Sequence, residues 1–498
     1  MEVENKTPEN DKNKYTAPQG KITEHFLSTK DGIIKYKAHA QWMILHKNDK
    51  PLSEMFHVAY IKEGNDINRP ITFVFNGGPG SASAFLHLGA VGPQKVPFNE
   101  DGSTPKPPIK LTDNEDSWLG FTDLCFIDPI GTGFSRMIDE DEINKNKDKE
   151  NKLKVDTKEY YNLNRDLESM GEFIQQFLSK HNRWESPIYI AGESYGGFRV
   201  AAMAKRLQLN HGVNLNGVII ISPALEFVLL DPSDYDIQRW SDEFPSLALT
   251  AMWHGKSKVF KKGTPVEDVL RSAEKFTHSE FVKMLSMGSD MNPDEKAVII
   301  KKMSDYLGID EAQIAKSEGR IPFWRYTRLL LKSENKVLGY YDSTQIGIDP
   351  FPDRDSLEGP DPSLDTTGRV FTSGINAHIR KNLGIETERV YHLLNMDVNQ
   401  SWKMDEKHAF HRSIGATDEL RYGMALNPHM KIFLCHGYHD LVTPYYSSKR
   451  LVNQMRLNDE QRNNIIIKNY VGGHMFYSWK ESREHFKADI EKFMEQSI

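Results

Sequence analysis

The run Ile188-Tyr189-Ile190-Ala191-Gly192-Glu193-Ser194-Tyr195-Gly196 places a serine between two glycines, directly behind four apolar residues. The apolar part predicts a buried strand. Behind it Val200, Met203 and Leu207 fall at helical spacing, so a helix is expected over 198–207. A G-x-S-x-G turn between strand and helix is a nucleophile elbow: the serine takes a strained backbone conformation, and only glycines beside it let neighbouring segments come close enough. A surface turn is the plain alternative; the strand before and the helix after favour the elbow. A serine hydroxyl is a poor nucleophile near neutral pH. The chain should therefore supply a general base and an acid that orients it, in the order serine, acid, histidine.

Composition narrows the field. A chain of 498 residues predicts two or three domain-sized units, or one large domain with an insertion. A formal net charge of −7 with no long Lys/Arg block argues against a nucleic-acid partner. No run is long and apolar enough to suggest a membrane span. Cys125 and Cys435 each sit in a strand-like run and read as two buried, reduced thiols. Residues 1–20 are polar and lack the apolar core of a signal peptide, so they read as a disordered lead-in. A cytoplasmic location is expected if the sequence is complete, and a periplasmic or secreted one if Met1 replaces a removed signal sequence. A homodimer stays open.

From Lys21 onward strands are expected over 25–28, 33–44 and 55–61, an antiparallel opening. The short run Ile71-Thr72-Phe73-Val74-Phe75 suits a central parallel strand. It ends in Asn76-Gly77-Gly78-Pro79-Gly80-Ser81, a rigid loop with uncovered backbone N–H groups. A phosphate cradle is one reading, but the G-x-x-x-x-G-K-[ST] and Rossmann spacings are missing, and an oxyanion hole fits better. Pro93, Pro97, Pro105, Pro107 and Pro108 mark an irregular surface loop. A second buried strand, 124–127, leads to Asp128-Pro129-Ile130-Gly131-Thr132-Gly133. Asp128 has the chemistry of a triad acid, but it precedes the serine, which favours a loop-bracing role. Residues 144–154 read as a charged surface linker. Tyr160, Leu163, Leu167, Met170, Ile174 and Phe177 predict an amphipathic helix, and 218–221 a further strand. This alternation argues an α/β fold with a mostly parallel sheet covered by helices on both faces.

Between about 225 and 426 the periodicity is mainly helical, for example over 266–285 and 295–306. This interval reads as a helical cap inserted between core segments 21–224 and 427–498, roofing the site. Its Asp-rich stretch 349–365, with Asp353 and Asp355, lacks the spacing of a calcium loop and reads as solvated. The sheet resumes at 431–435, followed by His436-Gly437-Tyr438-His439-Asp440. Asp440 follows a strand and the nucleophile, where the orienting carboxylate belongs. His436, His439 and Asp440 can also be read as metal ligands, but no third cluster at ligand spacing supports that, and no metal or other cofactor is expected. The last strand, 465–470, runs into Val471-Gly472-Gly473-His474, which makes His474 the base. Its competitor His485 lies in a polar helical stretch.

The full set, Asn76 to Ser81, Asp128-Pro129-Ile130-Gly131-Thr132-Gly133-Phe134-Ser135, Gly192-Glu193-Ser194-Tyr195-Gly196-Gly197, Gly437-Tyr438-His439-Asp440 and Gly472-Gly473-His474-Met475, resembles the serine carboxypeptidases. It resembles them in family order and over the core only. The resemblance implies an α/β-hydrolase fold, Ser194 as nucleophile, His474 as base and then acid, and Asp440 as its orienter. It implies an oxyanion hole from the N–H groups of Gly78 and Tyr195. It also implies a clamp on the substrate's terminal carboxylate from Asn76, Gly77 and Glu193, and so a peptide substrate with a free C-terminus. The family often carries a further Glu where this chain has Ala90-Val91, which weakens the expected brace on Glu193. The eukaryotic members' disulfides are absent too, which suggests a bacterial-type member. Glu193 facing a carboxylate must share a proton with it. With unperturbed Glu and His values, kcat/KM would peak on the order of pH 5–6. An esterase or acyltransferase using the same triad is the alternative enzyme, and a degenerate binding protein the non-enzyme one.

Overall fold

The apolar runs pair into a single large sheet. The computed structural model describes residues 15–30, 32–47, 50–64, 66–141, 156–230, 233–354, 358–403 and 414–497. The linker expected over 144–154, most of the lead-in, and Asp355 therefore lie outside the described residues. Three strands open the sheet antiparallel: β1 (Lys21–Thr29), β2 (Gly32–Lys47) and β3 (Lys50–Lys62). Six parallel strands follow: β4 (Ile71–Phe75), β5 (Asp123–Ile127), β6 (Ile188–Glu193), β7 (Gly217–Ile221), β8 (Lys431–Gly437) and β9 (Ile465–Tyr470). Their spatial order is β1-β2-β3-β5-β4-β6-β7-β8-β9, with the two-residue strand Arg136–Met137 on the flank of β3.

Strands β4 to β7 are buried along their whole length because helices cover both faces. Alternation sorts the side chains. Ile188 and Ile190 of β6 pack with Leu167, Met170, Phe173 and Phe177 of α1 (Leu163–Lys180) and Val200, Met203 and Leu207 of α2 (Tyr195–His211). Tyr189 and Ala191 face the other way, toward Phe486, Ile490 and Phe493 of the C-terminal helix Lys480–Glu495. Helix α2 exceeds the expected 198–207 because the elbow feeds it without an intervening loop. It stops at Gly212, whose φ of 65° is the left-handed geometry that ends helices.

The helical interval falls into two packing groups. Helices α3 (Gln238–Trp253), α4 (Val266–Phe276) and α5 (Pro293–Leu307) build a core of their own around Phe244, Phe276, Phe281 and Met303. Beyond them, α6 (Leu364–Ala377) sends Val370, Phe371 and Ile375 into the main core, and α7 (Thr417–Leu426) sends Leu420 and Met424 onto α2. A small hairpin, Lys336–Leu338 with Ile346–Ile348, lies between α5 and α6 in the chain, with Leu338 in the first group's core. The expectation of a solvated 349–365 stretch needs correction. Asp349 is buried against Arg328 at 3.1 Å, and Asp361 is buried accepting the N–H groups of Tyr340, Ser363 and Leu364. A carboxylate with three N–H partners is a loop organiser.

Parallel register puts the site at one end of the sheet. Phe75 lies level with Gly192, Ile221 with Glu193 and Cys435, and Gly437 with Tyr470. The loops leaving these strands therefore meet at the carboxyl ends, where open α/β sheets place their ligands.

Candidate active site

Ser194 leaves β6 with φ 61° and ψ −122°, a strained geometry for a residue with a side chain. The surroundings hold it there. Its N–H donates to the Ile221 carbonyl at 3.0 Å, and a Cβ on Gly192 would come within 2.1 Å of the Gly196 carbonyl oxygen. A Cβ on Gly196 would meet the Asn76 carbonyl oxygen at 2.8 Å, and one on Gly77 would meet the Tyr195 nitrogen at 2.5 Å. The glycines in the two turns are thus what lets the loop after β4 lie on the elbow.

A buried pair that sequence reasoning missed supports this contact from beneath. Arg199 donates from Nε and Nη2 to Asp166 at 2.9 and 3.1 Å, and from Nη1 to the Asn76 carbonyl at 2.8 Å. The Tyr195 hydroxyl donates to the same Asp166 at 2.9 Å. Asp166 looks like an ordinary first-turn acid of α1, and Arg199 like a polar interruption in an apolar helix. Only the fold shows that they meet.

His474 and Asp440 come together across 34 positions of sequence. His474 Nδ1 lies 2.6 Å from Asp440 Oδ2, which is also 2.6 Å from the Thr443 hydroxyl. Asp440 Oδ1 accepts the N–H groups of Val442 and Thr443 at 2.9 and 3.0 Å. An ionised carboxylate only accepts, so Nδ1 carries the proton and Nε2 is left as the basic nitrogen. Burial alone would pull the His474 imidazole down, but the charge and hydrogen bond of Asp440 and the charge of Glu193 together hold it above its ordinary value. Ser222 secures the histidine loop by donating to the His474 carbonyl at 2.8 Å, and the His474 N–H donates to the Tyr341 carbonyl.

Ser194, His474, Asn76, Gly77, Gly78 and Glu193 line one cavity of about 80 Å³. The rest of its wall is Ser81, Phe85, Tyr341, Leu364, Leu394 and Met475. Glu193 is buried, and Asn76 Nδ2 donates to its Oε2. Asn76 is itself fixed, accepting the Leu86 N–H at 3.0 Å. Burial is the main force on Glu193 and pushes its pKa up to about 7, against the opposing pull of His474, Tyr477 and Asn76. Such a group is protonated well into the range where an ordinary glutamate is ionised.

The other candidates lie elsewhere in the network. Asp128 is buried, accepts the Ser83 N–H at 2.9 Å and the Tyr391 hydroxyl at 3.3 Å, and so braces the segment behind the glycine loop. His436 uses both ring nitrogens, toward the Thr443 carbonyl at 3.1 Å and the Ser448 hydroxyl at 2.9 Å. His439 packs edge-on against Trp253. Among the described residues no group of three or more His, Cys, Asp or Glu is placed to hold a metal ion. His485 is exposed on the C-terminal helix, Ala90 and Val91 pack in the main core, and Cys125 and Cys435 are buried free thiols. No helix among the described residues is long and apolar enough to cross a membrane.

Comparison with known proteins gives a family and a fold. The family described as serine carboxypeptidase matches residues 32–317, more than half of the chain. Serine carboxypeptidase S10 family member 1 of Dictyostelium discoideum is 27% identical over 199 residues, 38% of this chain and 42% of that protein. The pheromone-processing carboxypeptidase of Yarrowia lipolytica is 23% identical over 405 residues, 79% of this chain and 53% of that protein. The chain thus spans about half the length, or less, of these curated relatives. A prohormone-processing carboxypeptidase from Saccharomyces cerevisiae shares the fold, with a TM-score of 0.54 at 18% identity over 92% of this chain and 91% of that one.

Proposed function

Because the chain belongs to the serine carboxypeptidase family, we propose that it removes single residues from the free C-terminus of peptides through an acyl-enzyme on Ser194. One observation carries the reading: a carboxyl group whose pKa is pushed up to about 7, Glu193, shares a cavity with Ser194 and His474. A neutral carboxyl can donate a hydrogen bond to a carboxylate, whereas an ionised one repels it. In this reading Asn76, the Gly77 N–H and Glu193 hold the terminal carboxylate of the substrate.

The reading implies the following steps. Ser194 Oγ attacks the last peptide carbonyl while His474 Nε2 takes its proton, and Asp440 stabilises the imidazolium through Nδ1. The N–H groups of Gly78 and Tyr195 take up the developing oxyanion, each worth about 3–4 kcal/mol of barrier. His474 gives its proton to the leaving amine, the terminal amino acid departs, and water, activated by the same imidazole, releases the shortened peptide.

The wall supports a preference for the leaving residue. Phe85, Leu364, Leu394 and Met475 offer no charged partner, so an apolar terminal side chain is favoured over a lysine or aspartate, which would be desolvated unpaired. The active form keeps one proton on Glu193 and none on His474 Nε2. Imidazolium facing carboxylate has the same proton count and is inactive, so the pH profile belongs to the pair. With Glu193 at about 7 and His474 held up, the expected kcat/KM peak moves from the value for unperturbed groups to roughly pH 6–7.

Mass analysis of a peptide mixture tests the reading. Products shortened one residue at a time, with amidated peptides spared and an organophosphate label on Ser194, are the expected result. Cleavage of esters and amidated peptides as readily as free acids would instead favour the esterase.

A further inference from the structure

Beside Glu193 lies a buried polar atom that the steps above leave unused. The Tyr477 side chain is wholly buried, and its hydroxyl has no hydrogen bond of good geometry. The same holds for Oε1 of Glu193, the oxygen that Asn76 does not occupy. Two orphaned buried atoms, one a donor and one an acceptor, cost free energy apart and gain it together. The two side chains do feel each other: burial and the charge of Glu193 push the Tyr477 phenol far up, and the phenol in turn draws the Glu193 carboxyl down against burial.

Packing explains how the phenol reaches this place. Tyr477 lies three residues past His474 in the 3₁₀ turn Phe476–Ser478, so the loop that carries the histidine also carries the phenol. Its ring lies flush on Gly89, where a Cβ would come within 2.5 Å of Cε2. Arg483 holds the turn, donating to the Tyr477 carbonyl at 3.3 Å while pairing with Asp116 at 3.0 Å.

We propose that the Tyr477 hydroxyl donates to Oε1 of Glu193 and is the positioning residue that orients this carboxyl group for the substrate's terminal carboxylate. The inference rests on the reading of Glu193 as part of the carboxylate clamp. With Asn76 on one oxygen and Tyr477 on the other, the carboxyl plane is fixed from two sides. The donor also favours the ionised form, so it limits how far up the pH scale the neutral, substrate-accepting form persists. The other titratable groups facing Glu193 are His474, Asp440 and the buried thiol of Cys435. None of them is altered by removing the phenol oxygen.

The test is the pH dependence of KM for a free-acid peptide in wild type, Tyr477→Phe, Gly89→Ala, Glu193→Gln and the double variant Glu193→Gln/Tyr477→Phe. In wild type KM rises with pH as Glu193 ionises. Loss of the donor in Tyr477→Phe should move that rise about one pH unit upward. Gly89→Ala, which displaces the ring without touching the hydroxyl, should move it in the same direction. The double variant should match Glu193→Gln alone, because there is then no ionisation left to bias. A uniform change in KM or kcat at every pH would mark a merely structural role and overturn the inference. So would an unmoved midpoint in Tyr477→Phe when Glu193→Gln flattens the profile. A wild-type profile in Glu193→Gln itself would instead remove the clamp on which the inference rests.

Discussion

The floor of the catalytic cavity comes from two short turns, 76–81 and 192–196, with glycines that have no room for a Cβ. Its wall comes instead from Phe85, Tyr341, Leu364, Leu394 and Met475, side chains scattered along the chain. The floor is backbone geometry and admits almost no variation. The wall is side-chain chemistry and can change without moving the catalytic atoms. On the proposed reading, such a fold can alter which residue it releases while the chemistry stays fixed.

The largest effect expected from breaking this division is on the floor. Ser194→Ala should lower kcat on the order of 10⁶-fold, and adding His474→Ala should cost little more, because the groups act as a unit. Single-turnover kinetics checks this, and losses that multiply would separate the two residues. Next comes the support beneath the floor. Asp166→Asn leaves the Arg199 guanidinium, 1% exposed, without its counter-charge, and loss of one partner of such a buried pair costs about 3–5 kcal/mol. Urea unfolding measures it.

Glu193 should show a conflict between stability and function. Its folded pKa of about 7 lies above the unfolded value, so between the two the folded chain holds the proton more tightly. Stability therefore falls as pH rises through that window and is unaffected below it. Glu193→Gln removes the penalty and should stabilise the protein above pH 7 by roughly 3 kcal/mol, with no gain at pH 4. Thermal unfolding at the two pH values decides it. The smallest effect belongs to the wall: Leu364→Lys should leave the melting temperature near wild type and lower the preference for apolar over acidic leaving residues roughly tenfold.

The same division governs what could be read in the sequence. The floor was legible because strained turns demand glycines at fixed offsets, and Ser194, Asp440 and His474 follow strands that β-propensity marks clearly. The parallel core was legible for the same reason: β4 to β7 are too apolar for half-exposed strands. Asp166 with Arg199, and Tyr477 with Gly89, were not legible, since each pair is joined only by the packing of distant elements. Asp349 and Asp361 misled the reading because an acid-rich loop looks solvated when its carboxylates in fact organise backbone N–H groups. The interval 225–426 read as one unit because helical periodicity carries no record of which core a helix joins.

The central claim is that a neutral Glu193 takes the substrate's carboxylate. It is tested most directly by measuring KM for one blocked dipeptide and its C-terminal amide from pH 5 to pH 8. The account predicts that KM for the free acid rises steeply above about pH 7, following Glu193 ionisation, while KM for the amide is high throughout and nearly flat. Parallel profiles for the two compounds, or an amide bound as well as the acid, would contradict it.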